Sequence, residues 1–228
     1  MSDDERIARA RLSADYERIM SDDYRSRWDS TNPGNRAMNI ERDRVLTELT
    51  TGVLPDRGLR VLDLGCGNLS VLPTSVRVQV RIGLDLLMTR LSDLRTRDNT
   101  PTVNGDGAHL PFPDDTFDVV VMSTMMTSVL DQDIRRAVGA EVERTLCPGG
   151  ALLWYDMRMP NPRNSATRSI RQSELRDLFP HLSGDIRSLT VIPAVARRLG
   201  RAAPRGYEAL RRLPFMRSHL AACLLKRP

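Results

Sequence analysis

Two hydrophobic periods alternate along the chain. Five apolar runs have the length and flanks of buried strands: "LRVLDL" (59–64), "VRIGLD" (80–85), "TVNGD" (102–106), "FDVVVMS" (117–123) and "ALLWYD" (151–156). Between them apolar residues recur at helical spacing, over Leu86 to Arg97 and over Asp131 to Leu146, where "CPGG" stops the second helix. Upstream, Ile7, Leu12, Tyr16, Ile19 and Met20 form one stripe and predict a helix over residues 3–28. "STNPGN" (30–35) reads as a turn, and a helical pattern resumes from Arg36 to Leu49. The alternation predicts an α/β fold, a parallel sheet with helices on both faces.

After Asp156 the pattern loosens. "MRMPNPRNSATRSIRQ" (157–172) carries two prolines and four arginines and follows neither period. Loops of this length in compact domains are often functional. A short helix, "SELRDLF", follows with Ser173 as its expected cap, then a strand, "SLTVI" (188–192). Residues 193–219 are basic and predicted helical in two pieces, and "LAACLL" (220–225) closes the chain as a last strand.

Length and composition add constraints. A chain of 228 residues is expected to form one domain able to bury its own core. No apolar run approaches a membrane span, and the acidic start "MSDDERIARA" is unlike a signal peptide. Cys66, Cys147 and Cys223 match no zinc spacing, which points to a reduced cytoplasm. The net charge of +5 is uneven: from Arg197 to Arg227 there are nine basic residues against the single acid Glu208. Such a run is most often a solvated face, since basic charge alone supplies only non-specific attraction.

The stretch "VLDLGCGNLS" (61–70) holds the most chemistry. Gly65 and Gly67 fit the first strand–helix turn of an open parallel sheet, where a ligand approaches bare backbone. A dinucleotide fingerprint would place a glycine at Ser70, and Asp63, just ahead of the turn, would repel a pyrophosphate. Both facts count against NAD. S-adenosylmethionine suits the turn better, because it has no phosphate and carries a positive sulfonium and amino group that Asp63 can help orient. Asp85, ending the second strand, is placed to accept bonds from two ribose hydroxyls, with Leu86 and Met88 beside the adenine. Asp106, ending the third, can accept from the adenine amino group.

"VLDLGCG", "IGLD", "GDGAHLPFPDDTFDVVVMS" and "EVERTLCPGGALLWYD" together resemble the successive motifs of class I S-adenosylmethionine-dependent methyltransferases, in the branch with ubiquinone- and menaquinone-type enzymes. The resemblance covers roughly residues 57–156. It implies a Rossmann-like seven-stranded, mostly parallel sheet whose last strand is antiparallel. On that frame residues 1–52 would form an N-terminal helical lid, with Tyr24, Trp28, Asn35 and Arg36. Residues 57–228 would form the core, with an arginine-rich loop (157–172) and a basic helical insertion (193–219). By the same resemblance Gly65 and Gly67 line the methionine part, Asp85 the ribose, Asp106 and Gly107 the adenine, and Ser123 the floor. Two departures matter: Leu69 stands where many members have a third glycine, and Pro73 should shorten the first crossover helix.

The acceptor is expected to be a small polar or anionic molecule, such as a sugar or specialised metabolite, methylated on oxygen. Arg158, Arg163 and Arg168 are the candidate substrate-binding residues, since a guanidinium fork matches carboxylate or phosphate. Asp156 is the first candidate base and Tyr155 the second; no metal is expected, because the sulfonium is already activated. His109, Cys66 and Cys147 are expected to be packing residues, and Met125 and Met126 to fill core gaps. The alternatives are an RNA or protein methyltransferase, or a protein that binds the cofactor without catalysis. Nucleic acid is disfavoured by scarce aromatics and the lack of a separate binding module; the sequence leaves the oligomeric state open.

Overall fold

The computed structural model describes residues 30–67, 72–92, 100–161, 164 and 166–227. The expected helix over 3–28, with Tyr24 and Trp28, lies outside them, as does Arg163. The described chain starts with helix α1 (Pro33–Thr50). It begins three residues before the expected Arg36, because the Asn32 side chain caps the amides of Gly34 and Asn35 and Pro33 takes the first helical position. A sequence read as a turn is here a helix start.

Seven strands follow: β1 (Leu59–Leu64), β2 (Val78–Asp85), β3 (Thr102–Asn104), β4 (Phe117–Ser123), β5 (Leu146–Met157), β6 (Leu182–Val191) and β7 (Arg217–Lys226). They form one sheet in the order β3-β2-β1-β4-β5-β7-β6. All pairings are parallel except those of β7, which runs antiparallel to both β5 and β6. The order reverses between β1 and β4, so the carboxyl ends of those strands flank the crevice where such sheets bind ligands.

Helix α2 (Gln132–Thr145) is capped by Asp131, and α3 (Gln172–Leu178) follows the arginine loop. Ser173 is not the cap of α3; that position falls to Arg171, whose side chain makes no capping bond. Two short helices, α4 (Pro193–Arg198) and α5 (Ala203–Leu210), join β6 to β7. Between β1 and β2 the described residues 72–77 are turn and extended chain, in line with Pro73 opposing a helix.

Strand alternation divides the core in two. Leu62, Leu64, Val120, Leu152 and Trp154 face α2 and α3, while Val61, Val121, Leu153 and Tyr155 face α1 through Val45, Leu46 and Leu49. Helix α1 therefore packs on a sheet face as part of the core, although it belonged to the expected lid. Burying such an aliphatic side chain is worth about 1.5–3 kcal/mol, so these contacts fix α1 firmly.

Candidate active site

The turn after β1 is built from backbone. Gly65 and Gly67 have φ of +69° and +49°, a region that glycine enters without strain. A Cβ on Gly65 would come within 2.4 Å of Met125 Cγ. The amides of Gly65 and Cys66 both donate to the Leu84 carbonyl, at 2.8 and 3.1 Å, which fastens the turn to β2. Asp85, at the end of β2, accepts from the Gly67 amide at 2.9 Å and from the Leu87 amide at 3.0 Å. Leu86 is half-buried beside it, its carbonyl accepting from Asn104 Nδ2 at 2.9 Å.

Asp63 is fully buried and paired with Arg81 from β2. Its charge is thus matched within the sheet, which the sequence did not suggest. Asp106 closes a tight turn, accepting from the Ala108 amide at 2.9 Å with His109 Nδ1 3.6 Å away. The next residue, Gly107, sits where a Cβ would touch Met125 and Leu64. His109 is exposed and not packed, and Cys147 is only half-buried, its thiol donating to the Asp115 carbonyl at 2.7 Å. Cys66 is a packing residue as expected; burial pushes its thiol up to about 12.

Ser123 and Tyr155 are register partners at the ends of β4 and β5. The Tyr155 ring stacks on His219 at 4.9 Å and 8°. Over the same ring lies Arg42 of α1, its guanidinium carbon 5.6 Å from the centroid. Among the described residues Arg42 makes no hydrogen bond or ion pair, and its Nε is buried without a partner. Arg42, Ser123 and Tyr155 line a narrow cleft of about 10 Å³, room for about one water, between Leu46, Leu72 and Leu153. The Tyr155 hydroxyl bonds Thr190 at 2.9 Å, and burial pushes its pKa up to about 12, so it keeps its proton.

Asp156 lies on the opposite side of β5. It is buried and accepts from the Thr127 amide and hydroxyl and from the Met157 amide, which hold the loop after β4 in place. Burial pushes its carboxyl up to about 6, against the pull of those donors.

The two described candidate arginines do not converge. Arg158 donates to the carbonyls of Arg217 and Pro214, at 2.8 and 3.3 Å. Arg168 is held by Gln132 and by Glu174. Glu174 is in turn bound by Arg135, which is fully buried and also donates to Val129 and Arg168 carbonyls. Arg42, Arg135 and His219 all escaped the sequence reading. Only the helical stripe around Val45 and Leu46 hinted that Arg42 would face inward.

The fold, the reversal of strand order and the glycine turn braced by Asp85 define an α/β enzyme with a nucleoside site at the strand ends. A family profile described as a methyltransferase domain matches residues 62–154. A demethylmenaquinone methyltransferase of a Mycobacterium species is 32% identical over 165 residues, covering 71% of this chain and 69% of the relative. The phthiotriol/phenolphthiotriol dimycocerosates methyltransferase 1 of Mycobacterium ulcerans is 35% identical over 127 residues, 53% of this chain and 46% of that protein. A fatty-acid O-methyltransferase of Mycolicibacterium smegmatis is 31% identical over 179 residues, 68% of this chain and 64% of the relative. The matched segment thus spans from under half to about two thirds of these relatives.

The N-methyltransferase NodS of Bradyrhizobium japonicum, solved with S-adenosyl-L-homocysteine, superposes with a TM-score of 0.67 at 15% identity, covering 95% of this chain and 99% of NodS. The [4+2]-cyclase SpnF superposes at 0.54 with 17% identity, over 81% of this chain and 80% of the cyclase. Likeness at such identities shows the fold alone, and the cyclase is a reminder that a fold does not fix a reaction. The chain belongs to the class I S-adenosylmethionine-dependent methyltransferases. Its cofactor is S-adenosylmethionine.

Proposed function

We propose that the protein methylates an oxygen of a small acceptor with a polar or anionic head and an apolar body. The observation that carries this is Arg42, whose side chain has no hydrogen-bond or ion-pair partner among the described residues and lies on Tyr155 at a narrow apolar cleft beside Ser123. A carboxylate is the group such a fork holds best. The relatives named for fatty-acid, menaquinone and dimycocerosate acceptors support the apolar part of this reading.

On the donor side, the turn of Gly65 and Gly67 is assigned to the methionine end, with Ser123 as floor. Asp85 retains lone pairs for two ribose hydroxyls, and Asp106, with Gly107 and Leu86, borders the adenine. Asp63, matched by Arg81, braces the turn. When bound, S-adenosylmethionine supplies a methyl group already activated on its sulfonium. The protein's work is then alignment: Arg42 orients the acceptor oxygen, and the aliphatic walls keep water out. A carboxylate is ionised at neutral pH and needs no base, so we assign Asp156 to positioning the loop that carries Thr127. Arg163 retains its expected role in substrate binding, alongside the loop that Arg158 and Arg168 hold in place.

The test is labelled methyl transfer to fatty acids, to the matching alcohols and to sugars. Arg42→Ala should raise the KM of the preferred acid by roughly tenfold to a hundredfold, the value of a hydrogen-bonded charge. Donor affinity by calorimetry should be unchanged. Wild-type kinetics in that variant, or preference for an uncharged acceptor, would overturn the assignment of Arg42 to an acceptor carboxylate.

A further inference from the structure

The basic segment joining β6 to β7 has no part in the site described so far, yet its position and surface chemistry are specific. Strand β6 ends at Val191 and β7 starts at Arg217, its register partner. Two residues further on, His219 pairs with Met157 at the carboxyl end of β5. The insertion therefore rises from the same end of the sheet as Asp85, Ser123 and Tyr155.

It is rigidly held. The Ile192 amide donates to the Met216 carbonyl at 2.9 Å and closes the neck. Arg217 Nε donates to the Arg211 carbonyl at 2.7 Å, and Arg158 ties Pro214 and Arg217 to the arginine loop. Tyr207 is buried and donates to Glu41 of α1 at 2.6 Å. What this scaffold presents is unusual for a solvated face. Phe215 is 67% exposed and Leu213 39%, on the turn next to Arg212. Arg198, Arg201, Arg205 and Arg212 are exposed, and none has a carboxylate within ion-pair distance among the described residues; Arg211, by contrast, is paired with Glu208.

We infer that this insertion docks the enzyme on an anionic lipid bilayer, with Phe215 and Leu213 entering the interface and the four arginines meeting the headgroups. Cations without an ion-pair partner among the described residues, next to exposed apolar tips, match an interface that is apolar within and negative at its surface. Nucleic acid fits less well, because stacking platforms use several aromatic side chains and Phe215 is the only large exposed aromatic among the described residues. The docked orientation would turn the acceptor cleft toward the membrane, a route for an acceptor with an apolar body. The inference itself does not depend on which acceptor is methylated.

The full chain should co-sediment with vesicles of equal parts phosphatidylglycerol and phosphatidylcholine, and much less with phosphatidylcholine alone. Binding should weaken as salt is raised. Arg201→Ala combined with Arg205→Ala should lower vesicle affinity by about tenfold or more, and Phe215→Ser by about tenfold. Both variants should keep wild-type thermal unfolding and donor affinity, readouts that stand apart from the acceptor assignment. Equal binding to neutral vesicles, no binding to anionic ones, unaffected vesicle binding in both variants, or tighter binding to single-stranded RNA would each overturn the inference.

Discussion

Asp156 and Thr127 are joined twice: the Thr127 amide donates to one carboxylate oxygen at 3.1 Å and its hydroxyl to the other at 2.8 Å. The pair spans the gap between the end of β5 and the loop after β4. That loop also carries Met125, the side chain that closes on Gly65 and Gly107. The tie connects the glycine turn to the strand that carries Tyr155.

A positioning role and a general-base role for Asp156 lead to different kinetics. A base would make Asp156→Asn lose roughly 10²–10⁴-fold in kcat, with Thr127→Val nearly silent. Positioning predicts that both variants lose activity by similar amounts, below about tenfold, without moving the kinetic pKa. Steady-state pH profiles of the two variants decide the matter.

Asp85 braces the Gly67 amide, and on the proposed reading it also accepts from the donor's ribose. Asp85→Ala should weaken S-adenosylmethionine and its demethylated product alike, by roughly tenfold to a hundredfold from about 1.5–3 kcal/mol of lost charged bonds. Titration calorimetry with both ligands is the measurement, and unchanged affinity for either removes Asp85 from the ribose site.

Gly139, in the middle of α2, would ordinarily be improved by alanine by about 1 kcal/mol. Here an added Cβ would lie 2.3 Å from the Leu178 carbonyl oxygen at the end of α3, a backbone atom that cannot swing away. Overpacking of this kind costs about 1–3 kcal/mol, so the clash should outweigh the propensity. Gly139→Ala should lower the urea midpoint at unchanged slope; a raised midpoint would show that α3 shifts freely.

The strands β1, β2 and β4, and the three acids near the strand ends, were legible because a buried strand carries its period locally. β5 was legible only from Ala151, for it begins at Leu146 and runs through the "CPGG" read as a helix stop. β3 came out shorter than "TVNGD", since Gly105 and Asp106 turn away, with the Gly105 amide donating to the Asp85 carbonyl at 3.1 Å. The surroundings of Tyr155 and of the arginine loop were harder to read. Arg135 is fully buried on a helix whose sequence marks it as a surface residue, and only the carbonyls of Val129 and Arg168 with Glu174 explain it. His219 reaches Tyr155 through strand pairing across 64 positions, a relation no local pattern contains. Arg158 follows the end of β5 as its sequence position dictates, but the partners that occupy it and Arg168 are tertiary.

Two buried groups should set the acid response in opposite senses. Burial pushes the Asp156 carboxyl up to about 6. Its proton therefore favours the fold, a contribution fully present below the unfolded pKa near 3.8 and lost as pH rises through about 6. Burial, aided by Arg42, pushes His219 down to about 3 from 6.5. Its neutral form favours the fold, so that contribution is present above pH 6.5 and lost as pH falls toward 3. Across about pH 4 to 6 each is worth on the order of 2–3 kcal/mol, and the two largely offset. Asp156→Asn should leave the His219 penalty uncovered and steepen the loss of melting temperature in acid. His219→Gln should do the reverse, flattening the profile or making the protein relatively firmer near pH 4 than near pH 6. Melting curves at several pH values compare the three proteins, and variant profiles parallel to wild type would reject both assignments.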